Sequence, residues 1–492
     1  MRRSVAALAA VTVIAWPAVA RAQPFTPSTP DIVLIVTDDQ RAETLWAMPQ
    51  TEEGVAAQGG RFSDAFVVNA LCCPSRTSIL TGDYSHTTGV YRQTPPFGRF
   101  EWFRDGSTLA TWLDDAGYTT GLFGKYLDGY QHAALTGYVP PGWDRWVAFI
   151  HSAYYDYKLS VDGQIQTHGS AAVDYSTDLL AREAVDFIRS SDGSLFLYFA
   201  PAAPHAPAIP APGDDGAFED LAPWRPPAFD EADVSDKPRW VQSLPRLDAV
   251  DRATIDAFRI DQYRSLLAVD RSVGAILDAL KETGRLENTL ILFTSDNGIA
   301  WGEHRWTKKE AAYDEVIRVP LLARWDAGGV APGEQITAPA LNIDLAPTIA
   351  EAAGVSTPPT DGRSLLPLLR GGSPSGWRTD FLVEHLAGTN PIPTFCAVRS
   401  KEWAYVRYGD GEEELYHLPS DPDELVNLAA DPASATPLRA QRARLDELCD
   451  PPPPGYEDPG QGPRVWTAVG LVLALFVLVA LRTRRSVTKP AR

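Results

Sequence analysis

Three short apolar runs, each ending in a polar cluster, punctuate this chain. Asp31-Ile-Val-Leu-Ile-Val36 runs into Thr37-Asp38-Asp39-Gln40, and Ser194-Leu-Phe-Leu-Tyr-Phe199 into Ala-Pro-Ala-Ala-Pro-His205. Thr289-Leu-Ile-Leu-Phe-Thr294 runs into Ser295-Asp296-Asn297-Gly298. A continuous apolar run of this length reads as a strand buried on both faces, as in a parallel sheet. Tyr175–Ile188 and Ile260–Leu280 instead repeat apolar residues at spacings of three and four, which predicts helices. Strands alternating with helices predict an α/β fold with helices on both faces of a central sheet. In such sheets, sites form beyond the carboxyl ends of the strands. All three polar clusters fall there.

The pattern changes elsewhere. Residues 201–245 are rich in Pro, Asp and Ala and predict a long irregular excursion over the site. Arg370-Gly-Gly-Ser-Pro-Ser-Gly376 marks a boundary. Beyond it Thr379–Val383, Thr394–Ser400 and Ala404–Tyr408 predict short strands of a smaller C-terminal unit. The first residues, Met1-Arg-Arg-Ser and an apolar run to Ala20-Arg21-Ala22, read as a secretory signal. Val465 to Leu481 is free of charge and reads as a short membrane span, with Arg482, Arg484, Arg485 and Lys489 as its cytoplasmic flank. The expected organisation is a signal at 1–22, a catalytic unit at 24–370 and a C-terminal α+β unit at 371–450. A Pro-rich stalk at 451–464, a membrane anchor at 465–481 and a basic tail at 482–492 follow. The chain is thus expected to be exported and held to the cell membrane by one C-terminal span, with the catalytic unit outside.

Composition narrows the function. An apolar content of 45% with 14 Trp indicates a globular protein. The formal charge is -19. The signal carries Arg2, Arg3 and Arg21, and residues 465–492 carry five basic and no acidic residues, so the part between them carries -27. Such a surface repels polyanions, which excludes nucleic acid as an expected partner. An anionic substrate would need a local cationic pocket, preferably with a metal. Of the four Cys, Cys72 and Cys73 are adjacent and poorly placed to pair. Cys396 and Cys449 could pair in an exporting compartment, and the sequence leaves that open.

The chemistry concentrates in a few strings. Cys72-Cys73-Pro74-Ser75-Arg76, followed by Thr-Ser-Ile-Leu-Thr81-Gly82, puts a sulfur and a guanidinium at a helix start, with Pro in the first turn. Free N–H groups there attract anions. A Cys alone would read as a buried apolar residue. Asp38-Asp39 and Asp296-Asn297 offer the oxygen ligands a hard divalent cation requires. Taken singly, each pair would read as a turn or a cap. Phe123-Gly-Lys125-Tyr, Pro204-His205-Ala-Pro207 and Gly302-Glu-His304-Arg-Trp-Thr-Lys308-Lys309, with Tyr313 and Ile317-Arg-Val-Pro320 after it, add cations and imidazoles.

The string from Cys72 to Gly82 resembles the sulfatase signature, Cys-x-Pro-Ser-Arg followed by Leu-Thr-Gly. The resemblance implies an alkaline-phosphatase-like fold with a mixed, mostly parallel central sheet. It implies that a formylglycine-generating enzyme oxidises Cys72 to formylglycine (3-oxoalanine), which becomes the nucleophile. It places Asp38, Asp39, Asp296, Asn297 and the modified Cys72 on a Ca2+ or Mg2+ ion. Arg76, Lys125, His205 and Lys309 complete the implied catalytic set. Lys309 is preferred to Lys308 because it stands five residues after His304 and four before Tyr313, as in the family. Leu127 stands where many members carry His. The subgroup similar to N-acetylglucosamine-6-sulfatase shares that Gly-Lys-Tyr-Leu string. It also shares Cys72-Cys73, Pro141-Gly-Trp143-Asp-Arg-Trp146 and Tyr154-Tyr-Asp-Tyr157. His151 and His304 are further candidate imidazoles. The resemblance runs from about Asp31 to Asn427 and closes in Glu414-Leu-Tyr416-His-Leu.

The implied reaction releases sulfate from a sulfated small molecule or glycan. One hydroxyl of the hydrated aldehyde attacks sulfur, and the other later expels sulfate and restores the aldehyde. Two alternatives stand beside it: a phosphonate or phosphate ester hydrolase on the same fold, and a non-catalytic protein that binds sulfated glycans.

Overall fold

A computed structural model of the protein describes residues 29–456. The expected signal at 1–22, the span at 465–481 and the tail at 482–492 lie outside the described residues, as does the stalk beyond 456. Among the described residues no helix is long and apolar enough to cross a membrane.

The three apolar runs form Asp31–Thr37, Leu195–Ala200 and Thr289–Ser295, and all three are fully buried strands. They belong to a ten-stranded sheet. In order across it lie Glu334–Ile336, Gly60–Phe62, Leu321–Arg324, Thr289–Ser295, Asp31–Thr37, Leu195–Ala200, Thr119–Gly124, Arg145–Phe149, Lys158–Val161 and Gln164–Thr167. The five strands from Thr289–Ser295 to Arg145–Phe149 run parallel, and antiparallel pairings occur only outside them. The sheet is therefore mixed and mostly parallel.

Alternation along these strands feeds two apolar layers. Ile32, Leu34, Leu290 and Leu292 face one layer with Ile79, Leu113 and Ile349, from helices Cys72–Thr81, Leu109–Asp115 and Leu345–Ala353. Val33, Ile35, Ile291 and Phe293 face the other, beneath helices Ser176–Ser190 and Ala249–Glu282. A fully buried aliphatic side chain contributes about 1.5–3 kcal/mol. A sheet covered on both faces is therefore far more stable than one exposing either. The long helix starts eleven residues before the predicted Ile260, because its first turns are mostly exposed and bury few of their side chains. Its start is fixed by Asp248, whose carboxylate accepts from the backbone N–H of Val250 and Asp251.

A second, four-stranded antiparallel sheet contains Asp380–His385, Phe395–Ser400, Trp403–Tyr408 and Glu413–His417. Helix Ala435–Leu448 covers one of its faces through Leu438 and Leu445. The other face packs Phe381 and Val383 against Phe66 and Val67. The last strand carries no apolar alternation that would predict it, because a glutamate, Glu414, takes one of its buried positions. That carboxylate accepts hydroxyls from Tyr313 at 3.0 Å, Tyr408 at 2.6 Å and Tyr416, so tertiary contacts replace its water.

Residues 201–245 are mostly turns, with one helical turn at Arg239–Gln242. They brace the loop that follows strand Thr289–Ser295. The Asp230 N–H donates to the Gly302 carbonyl, and the His304 N–H donates to the Ala228 carbonyl.

Cys396 and Cys449 form a disulfide between the second sheet and the end of its covering helix, 53 residues apart. Closing a loop of that length in the unfolded chain is worth about 4 kcal/mol. The double variant Cys396→Ala, Cys449→Ala should therefore unfold at distinctly lower urea concentration than the oxidised wild type. Equal midpoints would show that the bridge contributes nothing.

Candidate active site

Strand pairing assembles the centre. Asp31–Thr37 and Thr289–Ser295 are parallel and in register up to Thr37 beside Ser295. The next residues, Asp38 and Asp296, are therefore forced side by side. The Asp39 N–H donates to Asp296 Oδ1 at 3.1 Å, and the Gln40 N–H donates to Ser295 Oγ at 2.9 Å. Asp39 adopts a left-handed backbone, φ 65°. Few non-glycine residues do so, and the surroundings must hold one there.

Neighbouring strand ends deliver the cations. Lys125 follows Thr119–Gly124, and its N–H donates to the Ala200 carbonyl at 2.7 Å. That approach requires glycine before it, since a Cβ at Gly124 would lie 1.9 Å from the Ala200 oxygen. Lys125 Nζ then reaches Asp38 Oδ2 at 2.5 Å. Helix Cys72–Thr81 points its start into the same place, and all ten of its residues are buried. Cys72 and Arg76 are four residues apart and share one face of it. The Arg76 guanidinium donates from Nε to Asp296 Oδ2 at 2.7 Å and from Nη1 to the Lys125 carbonyl at 3.1 Å.

Lys309 Nζ lies 2.8 Å from Asp39 Oδ1 and 2.6 Å from Cys72 Sγ, whereas Lys308 is exposed. Cys72 Sγ also lies 3.4 Å from Asp38 Oδ1. His205 Nε2 is 3.7 Å from Asp39 Oδ2, and its Nδ1 donates to the Ala206 carbonyl at 2.7 Å. Asn297 Nδ2 donates to Asp39 Oδ1 at 2.5 Å. Asp38, Asp39, Cys72, Arg76, Lys125, His205, Asp296, Asn297 and Lys309 thus meet at one sheet edge.

The two further histidines do not join them. His151 is exposed, and buried His304 is engaged by Glu231 Oε2, 2.7 Å from its Nδ1. Sequence reasoning passed over Gln262, a buried glutamine on the long helix. Its Nε2 donates to the backbone carbonyls of Pro204 and Asp39 at 3.2 and 3.4 Å. A lone Gln in a helix carries no signal of such a contact.

The donor set fits a hard divalent cation. Ligand atoms of Asp38, Asp39, Cys72 and Asp296 all lie within 4.8 Å of one another. Asn297 Oδ1 is buried and faces no hydrogen-bond partner, as a carbonyl oxygen kept for a metal would. Three carboxylates and the three cations Arg76, Lys125 and Lys309 balance in charge. Burial alone would raise the pKa of Asp38, but Lys125, His205 and Arg76 outweigh it and hold it below the usual 3.8. At Asp39, Lys309 and His205 do the same. Cys72 goes the other way. Burial, with Asp296 and Asp38 beside it, pushes its thiol well up, so the encoded side chain stays protonated and is a poor nucleophile.

A family model described as Sulfatase matches residues 30–355, and one described as N-sulphoglucosamine sulphohydrolase, C-terminal, matches 302–450. The chain is 34% identical over 487 residues to the human N-acetylglucosamine-6-sulfatase, covering 88% of this chain and 87% of that one. It is 35% identical over 372 residues to the Extracellular sulfatase SULF-1 homolog of Drosophila melanogaster. That match covers 72% of this chain and only 33% of the fly protein. Among solved structures, one of a protein in complex with its substrate D-glucosamine-2-N,6-O-disulfate superposes with a TM-score of 0.77. It is 24% identical and covers 87% of this chain and 99% of its own, which shows a shared fold.

A carboxylate whose pKa is lowered on folding stabilises the fold above its unfolded value and loses that contribution as pH falls through the folded one. The urea midpoint of metal-free protein should therefore drop below about pH 4 as Asp38 and Asp39 protonate. Asp38→Asn should cost about 3 kcal/mol at neutral pH, because it strands Lys125, and should show a shallower acid dependence. Parallel acid curves for the two proteins would refute this assignment.

Proposed function

The chain belongs to the sulfatase family and is a sulfuric ester hydrolase, and on that premise we propose that it removes sulfate from a 6-O-sulfated glucosamine unit of a small sugar or glycan. One observation carries the site assignment: Cys72 stands between three cations and three carboxylates at the mouth of a parallel sheet. The human relative and the sulfated-glucosamine complex support the sugar class.

Residue 72, once oxidised to formylglycine, supplies an aldehyde whose hydrate offers the attacking hydroxyl. Asp38, Asp39, Asp296, Asn297 and residue 72 would hold a Ca2+ or Mg2+ ion, which would supply Lewis-acid polarisation of a sulfuryl oxygen. The remaining work falls to side chains. Arg76 ties Asp296 to the Lys125 backbone and keeps a fixed positive charge beneath residue 72. Burial opposes the charged form of Lys125 and Lys309, but Asp38 and Asp39 beside them keep both firmly protonated. They present preorganised charge to the sulfuryl oxygens as it develops. His205 keeps Nδ1–H on the Ala206 carbonyl, which leaves Nε2 to hold the proton for the departing alcohol. Since the carboxylates and side-chain cations cancel, a bound divalent ion would leave the pocket two charges positive. Such a pocket would draw an anionic ester to a protein whose surface otherwise repels it.

Export belongs to the same proposal, with the signal at 1–22, the anchor at 465–481 and maturation by a formylglycine-generating enzyme before the chain folds over Cys72. An extracellular sulfatase among the relatives supports it. The division at about residue 370 is likewise our reading, and the separate C-terminal sheet supports it.

Protein co-produced with a formylglycine-generating enzyme and supplied with Ca2+ should release sulfate from N-acetylglucosamine 6-sulfate. Its tryptic peptide around Cys72 should carry the aldehyde by mass spectrometry. Faster cleavage of an aryl phosphonate than of the matched aryl sulfate would overturn the substrate class. Full activity with an intact Cys72 thiol would overturn the nucleophile.

The two lysines give a sharper contrast. Lys309→Met should lower kcat by about 100-fold or more. Lys308→Met should stay within about twofold, as surface substitutions do. Equal losses would remove Lys309 from its role.

A further inference from the structure

One side chain outside the ligand set touches the loops at three strand ends. Gln262 lies on the inner face of helix Ala249–Glu282 and is 2% exposed. Its amide nitrogen donates to the Asp39 carbonyl after the first strand and to the Pro204 carbonyl beside His205. Its amide oxygen accepts from Trp301 Nε1 at 2.6 Å, in the loop after Asp296 and Asn297. Trp301 is itself fixed by the Arg41 guanidinium stacked 4.2 Å over its ring. Because the indole can only donate, it forces the amide to turn its nitrogen toward the two carbonyls.

We propose that Gln262 is a positioning residue that holds the left-handed Asp39 turn and the His205 loop at their working separation. The strained Asp39 backbone needs restraint on both sides. Its N–H is restrained by Asp296, and its carbonyl by Gln262. Without the amide, the Asp39 and Pro204 carbonyls and the Trp301 N–H lose buried partners together. Relief comes by rotating the turn, which carries the Asp39 carboxylate away from its neighbours. The inference rests on the sulfatase reading for what Asp39 and His205 do.

Two variants test it. Gln262→Met roughly keeps the length and volume of the side chain but cannot donate to the two carbonyls and accepts only weakly. Trp301→Phe leaves Gln262 in place and removes the N–H that orients it, together with part of the ring Arg41 stacks on. Calorimetric Ca2+ binding to metal-free protein, kcat and KM on N-acetylglucosamine 6-sulfate, and the melting temperature are measured for each. Gln262→Met should weaken Ca2+ binding and lower kcat by about 10–100-fold, as loss of an outer-shell partner does, with KM little changed. Trp301→Phe should move both in the same direction by less. If either variant melts earlier yet keeps Ca2+ affinity and kcat per folded molecule within about twofold, Gln262 is only a packing residue and the proposal fails. If wild type binds Ca2+ without releasing sulfate, the substrate reading fails, and the Ca2+ comparison still judges Gln262.

Discussion

Three carboxylates share a buried pocket, and the candidate site depends on their neutralisation. Asp38, Asp39 and Asp296 are all fully or almost fully buried. An ionised carboxylate taken from water costs several kcal/mol even after the protein relaxes, so three together would not survive uncompensated. Arg76, Lys125 and Lys309 arrive from three different parts of the chain to compensate them. Each cation also fixes the carboxylate it serves, so neutralisation and geometry come from the same contacts.

That arrangement explains the architecture around it. Parallel strands in register place Asp38 against Asp296 without any choice by the side chains. A helix packed on the sheet brings Cys72 and Arg76 together because they are one turn apart. The loop carrying Lys309 has no regular structure of its own. His304, Arg305 and Glu310 within it are all left-handed. Residues 201–245 hold it, through the Glu231 contact to His304 and the Arg305 contacts to the Glu231, Ala232 and Leu244 carbonyls. The irregular excursion is thus the brace of the loop that carries Lys309.

Much of this was legible along the chain. The central strands announced themselves as apolar runs, because a strand buried on both faces admits little polarity. The resemblance of the Cys72–Gly82 string and of the lysine spacing to the sulfatase pattern singled out Cys72 and Lys309, and the fold brings the two side chains within 2.6 Å. Other parts were silent. Strand Glu413–His417 was not among the predicted strands, since nothing local shows that three tyrosines receive Glu414. His304 looked like a candidate imidazole, yet Glu231, more than seventy residues away, claims its ring. Gln262 gave no sign at all.

The sequence by itself determined the local propensities and the reactive inventory: which segments become buried strands, which become helices, and which side chains could bear a nucleophile, a metal or a positive charge. These depend on residue type and short spacing, which the chain carries openly. Only the tertiary structure decided which groups meet, which stay apart and which carbonyls a distant glutamine restrains. Such contacts join residues as many as 270 positions apart, as between Lys309 and Asp39. Their energies depend on distance and desolvation, which exist only once the chain is packed.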